Sequence, residues 1–296
     1  MTDIRFVEMA DWVARATADP VLHFERQASE IILNATGMLD EFKDKIFLKG
    51  GMLMGVVYDS PRQTSDLDFT ISLPPENGIG NRLRTELDQA MVRSAVRLGY
   101  PDIVCRTQTV AAQPRKDSLE RGKFPALKMT IGYARRGSVE ERQLDRRRCS
   151  KVIELDLSFN EPVGSWQIVK LGQHGSLINV YSLRDMIAEK LRALLQQTGR
   201  NRNRRQDVYD ISLLLQRFCF DKAELCLLHK TFLEKCRARN IEPNANSLSN
   251  PEVIRRAGAE WETMTLELGD VPLFSECYKL VESFYRSFPW QYYDSD

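Results

Sequence analysis

The sequence predicts an α+β protein, with strands and helices mixed in its first part and a helical second part. Three observations carry this expectation. "KVIELDLSF", residues 151–159, alternates: Ile153, Leu155, Leu157 and Phe159 lie on one face and Glu154, Asp156 and Ser158 on the other. That is the period of a strand with one buried face. "LDFTI" has the same pattern, with Leu67, Phe69 and Ile71 opposed to Asp66, Asp68 and Thr70. From Ser182 onward, after a turn at residues 172–175, apolar residues recur at helical spacing. The expected domains are therefore 1–175 and 176–296.

In chain order, a helical segment runs from Asp11 to Leu39 with a break near Pro20, and Val21, Phe24, Ala28, Ile31 and Ile32 form its stripe. "IFLKGG" is a short apolar strand ending in glycines, with a helix from near Met52 after it. The turn formers of "YDSPRQTS" make a loop into the strand "LDFTISL". Residues 80–99 form a helix, and residues 102–133 form strands, "LKMTIGY" the clearest. In the second part Ser182 is the N-cap of "YSLRDMIAEKLRALLQQ", with Asp185 three residues on in a capping-box pattern. Ile187, Leu191 and Leu194 form that helix's stripe, and Lys190 lies on it; spacing alone favours a lysine snorkelling from the stripe's edge. In "RRQDVYDISLLLQRF", Asp207, Asp210, Ile211, Leu214 and Phe218 share a face, so two acids need partners there. Arg204 and Lys190 could supply them as a purely architectural network.

Composition narrows the function classes. At 296 residues, with 43% hydrophobic and 28% charged residues, the chain can build a real core. No apolar run approaches membrane-span length, and the opening "MTDIRFVEMADWV" carries acids where a signal peptide has bases. The six cysteines form no CxxC pair and the three histidines are scattered, which argues against zinc and for a reduced, cytoplasmic protein without membrane attachment. Net charge is only +1, but basic residues cluster locally. Seven stand against three acids between Arg135 and Lys151, and Arg200, Arg202, Arg204 and Arg205 fall within six residues. Such clusters suit a polyanion such as RNA, and they suit a solvated loop equally well.

Two aspartates one residue apart on a strand repel each other unless a cation sits between them. On one strand face Asp66 and Asp68 are about 7 Å apart at Cα, close enough to converge on a divalent ion. Asp156 bears the same relation to its own apolar face, so on a neighbouring strand it becomes a third ligand. Oxygen ligands alone favour Mg²⁺ or Mn²⁺, ions that hold a nucleoside triphosphate and activate an attacking hydroxyl. Gly50 and Gly51, at a strand end and ahead of a helix N-terminus, let backbone N–H groups approach phosphate.

"LKGGMLMGVVYDSPRQTSDLDF" resembles the first motif of the AbiEii/AbiGii (MenT-like) toxins, nucleotidyltransferases of type IV toxin–antitoxin systems. Lys49, Gly50, Gly51, Tyr58, Arg62, Ser65, Asp66, Asp68 and Phe69 all have counterparts in it. Met52 departs from the pattern, which has a small hydroxylated residue there. Asp185 and Lys190, then Arg204, Asp207 and Asp210, reproduce the family's later motifs in order, with Gln206 where a basic residue is usual. The match spans residues 47–215.

The resemblance implies a nucleotidyltransferase-like mixed sheet followed by a helical domain that contributes Lys190 and Asp207 to the site. It implies catalytic roles for Asp66, Asp68, Asp156, Lys190 and Asp207, with Asp66, Asp68 and Asp156 on the metal. Gly50, Gly51, Arg62, Ser65 and Lys190 would bind nucleotide, and Arg200, Arg202, Arg204 and Arg205 would bind RNA. It further implies Mg²⁺ or Mn²⁺, an NTP substrate, an RNA acceptor best matched by the 3′ end of tRNA, growth arrest of the kind used in phage defence, and a cognate antitoxin. In such toxins serines near the first motif can be modified, which makes Ser65 a candidate. A small-molecule nucleotidyltransferase, or a non-catalytic nucleotide- or RNA-binding protein, are the other readings.

Overall fold

One mixed sheet organises the first unit of the chain. The computed structural model describes residues 4–113 and 119–290. Its strands are β1 (Ile4–Val7), β2 (Ile46–Lys49), β3 (Leu67–Ile71), β4 (Ile103–Gln113), β5 (Ala126–Arg135), β6 (Val152–Phe159), β7 (Trp166–Leu171) and β8 (Leu177–Tyr181), in the order β1-β7-β8-β2-β3-β6-β5-β4. The β1–β7, β8–β2 and β3–β6 pairs are parallel and the others antiparallel. The α+β expectation holds, and the sheet is mixed. Strands β1, β7 and β8 were not expected. They are four to six residues long and lack clean alternation. Cross-strand pairing rather than local pattern defines them.

The helices of this unit are α1 (Met9–Ala14), α2 (Pro20–Thr36), α3 (Gly50–Val57), α4 (Ile79–Arg97) and α5 (Val139–Asp145). The break expected near Pro20 lies just before α2: Asp19 caps the helix by accepting from the Val21 and Leu22 N–H groups, and Pro20 takes the first position, where no donor is needed. Phe24, Ala28, Ile31 and Ile32 are buried as expected. Val21, in the first turn, is 70% exposed. Helix α2 packs on α4, and α4 on β4. Leu83 and Leu87 of α4 meet Phe69, Leu155 and Leu157 from the apolar faces of β3 and β6. Each such side chain contributes about 1.5–3 kcal/mol on burial, and this commits Asp68 and Asp156 to the opposite face of the sheet.

Met1–Asp59, Thr64–Glu161 and Trp166–Tyr181 form this unit, while Ser60–Gln63, Pro162–Ser165 and Ser182–Asp296 form a second. The chain therefore changes unit at Tyr181/Ser182 rather than at 175/176, because β8 pairs with β7 and β2. The second unit contains α6 (Leu183–Gln196), α7 (Arg205–Arg217), α8 (Lys222–Ala238), α9 (Pro251–Gly258), α10 (Thr265–Leu268) and α11 (Phe274–Arg286). Helix α6 packs on α7 and α8, and α7 on α11. Ser182 does cap α6, accepting from the Asp185 N–H at 3.2 Å. The other half of the expected capping box does not form. The Asp185 carboxylate instead accepts from the Gly164 and Ser165 N–H groups and pairs with Lys235 at 3.1 Å.

Candidate active site

On the sheet, register lines up four charges. Lys49 of β2 lies opposite Asp68 of β3, Asp68 opposite Asp156 of β6, and Asp156 opposite Lys128 of β5. Directly paired residues share a face, so the row reads Lys–Asp–Asp–Lys across four adjacent strands. At its centre two carboxylates stand abreast, the arrangement that requires a cation. The Lys128 ammonium pairs with Asp156 Oδ2 at 3.0 Å and lies 3.8 Å from Glu154. The hydrogen bond that Lys128 donates to Asp156, with the charges of Asp156, Glu154 and Asp66, holds the lysine above its ordinary range against a burial penalty. Asp156 Oδ1 is buried, and among the described residues no donor reaches it.

At the other end of the row Lys49 is buried and ion-paired with Glu161. Thr70 Oγ1 is 2.7 Å from the Tyr181 hydroxyl and donates to Glu161 at 3.3 Å. Lys49 is also the N-cap residue of α3. The turn into that helix explains the first glycine of the pair. Gly50 has φ +70°, and a Cβ there would collide with Asp68 Oδ2. Only glycine serves both demands at no cost. Gly51 lies within α3. Asp66 is exposed and precedes β3 by one residue, so the strand ladder does not hold it. Its charge is nonetheless felt nearby: burial and then Asp66 raise the Glu25 carboxyl above its usual range.

In the second unit the acids expected on the buried stripe of α7 do find partners. The Lys190 ammonium donates to Asp207 at 2.9 Å and to Asp210 at 2.7 Å. Arg62 lies 3.4 Å from Asp210, and Arg204 lies 3.5 Å from Asp207. Asp210 is completely buried and Lys190 nearly so. Burial pushes the Asp210 carboxyl up, but Lys190 and Arg62 outweigh it and hold its pKa below the usual value of 3.8. Burial pushes Lys190 down, but Asp210 and Asp207 outweigh it and raise it. The buried ammonium sits on the stripe itself, not at its edge.

Residues 31–280 match the family model "Nucleotidyl transferase AbiEii toxin, Type IV TA system". The chain belongs to that family. No curated protein matches it in sequence. Among solved structures, a Helicobacter pylori protein described as a candidate nucleotidyltransferase superposes with TM-score 0.50 at 12% identity, covering 88% of this chain and 92% of its own. That likeness shows a shared fold. MenT4, a nucleotidyltransferase toxin of Mycobacterium tuberculosis, overlaps at TM-score 0.49 and 13% identity over 94% of this chain and 97% of its own, too loosely to carry a conclusion. Family membership makes the chain a nucleotidyltransferase toxin of the type IV toxin–antitoxin class, a class defined with an antitoxin partner.

For an AbiEii-family nucleotidyltransferase, the sheet row is the natural place to look for a divalent ion. Among the described residues no three carboxylates, histidines or thiols come close enough together to hold a metal. The expected three-aspartate cluster is thus not assembled in this arrangement. What fits a cation is the Asp68–Asp156 pair and the buried, donor-free Oδ1 of Asp156, an all-oxygen donor set suited to Mg²⁺ or Mn²⁺.

Other expected residues fall into two groups. Arg62, expected to bind nucleotide, spends its buried guanidinium on Asp210, 148 positions away. Ser65 is half-buried. In the arginine cluster, Arg200 and Arg202 are exposed, whereas Arg204 pairs with Asp207 and Arg205 with Glu260 at 3.0 Å. Burial and the neighbouring guanidiniums of Arg239, Arg192, Arg202 and Arg204 lower the pKa of Arg200. In the other basic stretch, Arg135 pairs with Asp102, and Arg146, Arg147 and Arg148 are exposed. Sequence reasoning missed Lys128 and Glu161. The lysine of "LKMTIGY" sits on the polar face of an alternating strand, and that was the one available signal.

No helix among the described residues is long and apolar enough to cross a membrane.

Proposed function

We propose that this chain is a metal-dependent toxin that transfers a nucleotide from an NTP to an RNA acceptor, best matched by the 3′ end of tRNA. The observation that carries the reading is the in-register Asp68–Asp156 pair with its donor-free oxygen. Asp68 and Asp156 would hold the ion, with Asp66 as a third ligand drawn in by its charge. A divalent ion bound there supplies charge stabilisation for the entering and leaving oxygens and acidifies the attacking hydroxyl. The acceptor oxygen attacks the α-phosphorus, the bond to the bridging oxygen breaks, and pyrophosphate leaves. The proton of the hydroxyl passes to Asp156. Gly50, by giving up its side chain, lets Asp68 sit against the start of α3, whose N–H groups favour phosphate.

Lys190 and Asp207 are assigned to handling the nucleotide phosphates on the strength of the family motifs. A positive charge is what such a role needs, and Asp210, itself paired with Arg62, fixes the Lys190 ammonium in place. Serine modification at Ser65 and control by a cognate antitoxin belong to the same proposal.

The test is direct. Purified protein is incubated with each labelled NTP, Mg²⁺ and total RNA. The expected result is label on RNA of tRNA size with one preferred nucleotide, and none with Asp68→Ala. Growth inhibition that survives Asp68→Ala would overturn the enzymatic reading in favour of sequestration.

A further inference from the structure

We propose that Lys128 is a built-in competitor of the divalent ion for Asp156, so that ion and nucleotide load together rather than in succession. The proposal rests on the metal-site reading above and deepens it by naming the residue that governs loading. Lys128 stands in register with Asp156 on the adjacent strand and pairs with its Oδ2 at 3.0 Å, while Oδ1 has no donor among the described residues. The ammonium therefore occupies one oxygen of a carboxylate whose other oxygen is left for a cation.

Three features distinguish this lysine from one that holds the fold together. Its side chain is 43% exposed, against 7% for Lys190 and 2% for Lys235. An ion pair that exposed contributes little to stability, so the pairing can be exchanged cheaply. It also has a second place to go. Glu154, two residues from Asp156 on the same strand face, lies 3.8 Å from the ammonium. Finally, Lys128 feels Asp66 as well as Asp156 and Glu154, so its one charge offsets several members of the acidic face.

The consequence follows from charge alone. With no ion bound, Lys128 balances Asp156 and makes two aspartates abreast tolerable. A free divalent ion arriving at Asp156 meets a positive charge only a few ångströms away, which weakens its binding. An ion arriving with a triphosphate brings phosphate oxygens that offer the ammonium a new partner. Lys128 is thus a positioning residue that acts on the metal through Asp156.

Mn²⁺ titration followed by electron paramagnetic resonance of the free ion tests this without any turnover. In the full chain without nucleotide, Lys128→Met is expected to bind Mn²⁺ about tenfold more tightly than wild type. Lys128→Arg, which keeps the charge, is expected to stay near wild type. The gap between Lys128→Met and wild type should narrow at high salt, where exposed charges are screened. A non-hydrolysable NTP analogue should tighten Mn²⁺ in wild type more than in Lys128→Met. Unchanged or weaker Mn²⁺ binding in Lys128→Met overturns the proposal. The control is Asp156→Asn, expected to lose the Mn²⁺ site; if it binds like wild type, the metal-site reading itself has failed.

Discussion

The two charged clusters of this chain use similar residues in opposite ways. On the sheet, Asp156 is half-buried and Lys128 half-exposed, and among the described residues one carboxylate oxygen lacks any donor. In the helical unit, Lys190, Asp207, Asp210 and Arg62 are mostly buried, Asp210 completely, and each charge has a counter-charge within 3.4 Å. The first arrangement can exchange partners and the second cannot without leaving a charge stranded in a low dielectric. Substitution of Asp156 on the sheet and of Asp210 in the helices should therefore produce different phenotypes: lost chemistry in the first and lost stability in the second.

The largest expected effect is on the sheet. Asp156→Asn keeps the shape of the side chain but removes its charge. We expect nucleotidyl transfer to fall by about 10³-fold or more, from loss of the several kcal/mol a bound ion supplies. Stability should change by no more than about 0.5 kcal/mol, since the Lys128 pair it breaks is a surface one. Labelled-NTP transfer and a denaturation curve on one sample check both halves. A large loss of stability would erase the contrast.

In the helices the order reverses. Asp210→Ala leaves Lys190 and Arg62 without their shared partner, a change that costs about 3–5 kcal/mol in a buried ion pair. Acid should have a related effect. The folded-state pKa of Asp210 is held below 3.8, so its contribution is present above that value and is lost as pH falls through the lowered one. The melting temperature of wild type should drop as pH falls below about 4. In Asp210→Asn that part of the pH dependence should vanish, because the variant has no proton to take up.

A third substitution joins stability to chemistry within the sheet unit. Gly50→Ala forces a side chain into φ +70° and against Asp68 Oδ2. The left-handed conformation alone costs about 1–2 kcal/mol. Displacing the carboxylate should lower transfer by about 10- to 100-fold, the size seen when the support of a metal ligand is lost. Gly55→Ala in the same helix, where a Cβ would meet only Trp12 at 3.5 Å, is the matched control and should keep activity.

How much of this was legible in the sequence depends on the range of the interaction. Period-two alternation placed Asp68 and Asp156 on the polar faces of β3 and β6 because that is a property of each strand alone. That the two strands pair in register is a long-range fact, and it was reached only as an expectation. The α7 stripe predicted that Asp207 and Asp210 would need partners, and Lys190 and Arg204 were named correctly. The pairing of Arg62 with Asp210 was not foreseen, because the two lie 148 residues apart and no local pattern connects them. Lys128 was overlooked for the same reason: a lysine on an alternating strand gains its meaning only from the residue opposite. The strands β7 and β8 were missed because sheet pairing, not periodicity, makes them strands.

The smallest expected effect concerns the acceptor and sharpens the comparison from a third side. Arg200 and Arg202 are exposed, whereas Arg204 and Arg205 are engaged with Asp207 and Glu260. Of the four arginines in the cluster, the first two are the most exposed. If the acceptor is RNA, the double variant Arg200→Glu and Arg202→Glu should weaken RNA binding modestly. It should also lower the salt slope of that binding by about 0.7 for every single-strand phosphate that is no longer neutralised. The KM for NTP should stay the same, because neither residue belongs to the sheet row or to the Lys190 cluster. Arg205→Gln should instead act through its bond to Glu260 and leave the salt slope unchanged. Transfer and salt slope both untouched by the double variant would point to a small-molecule acceptor, since such an acceptor has no use for a basic patch.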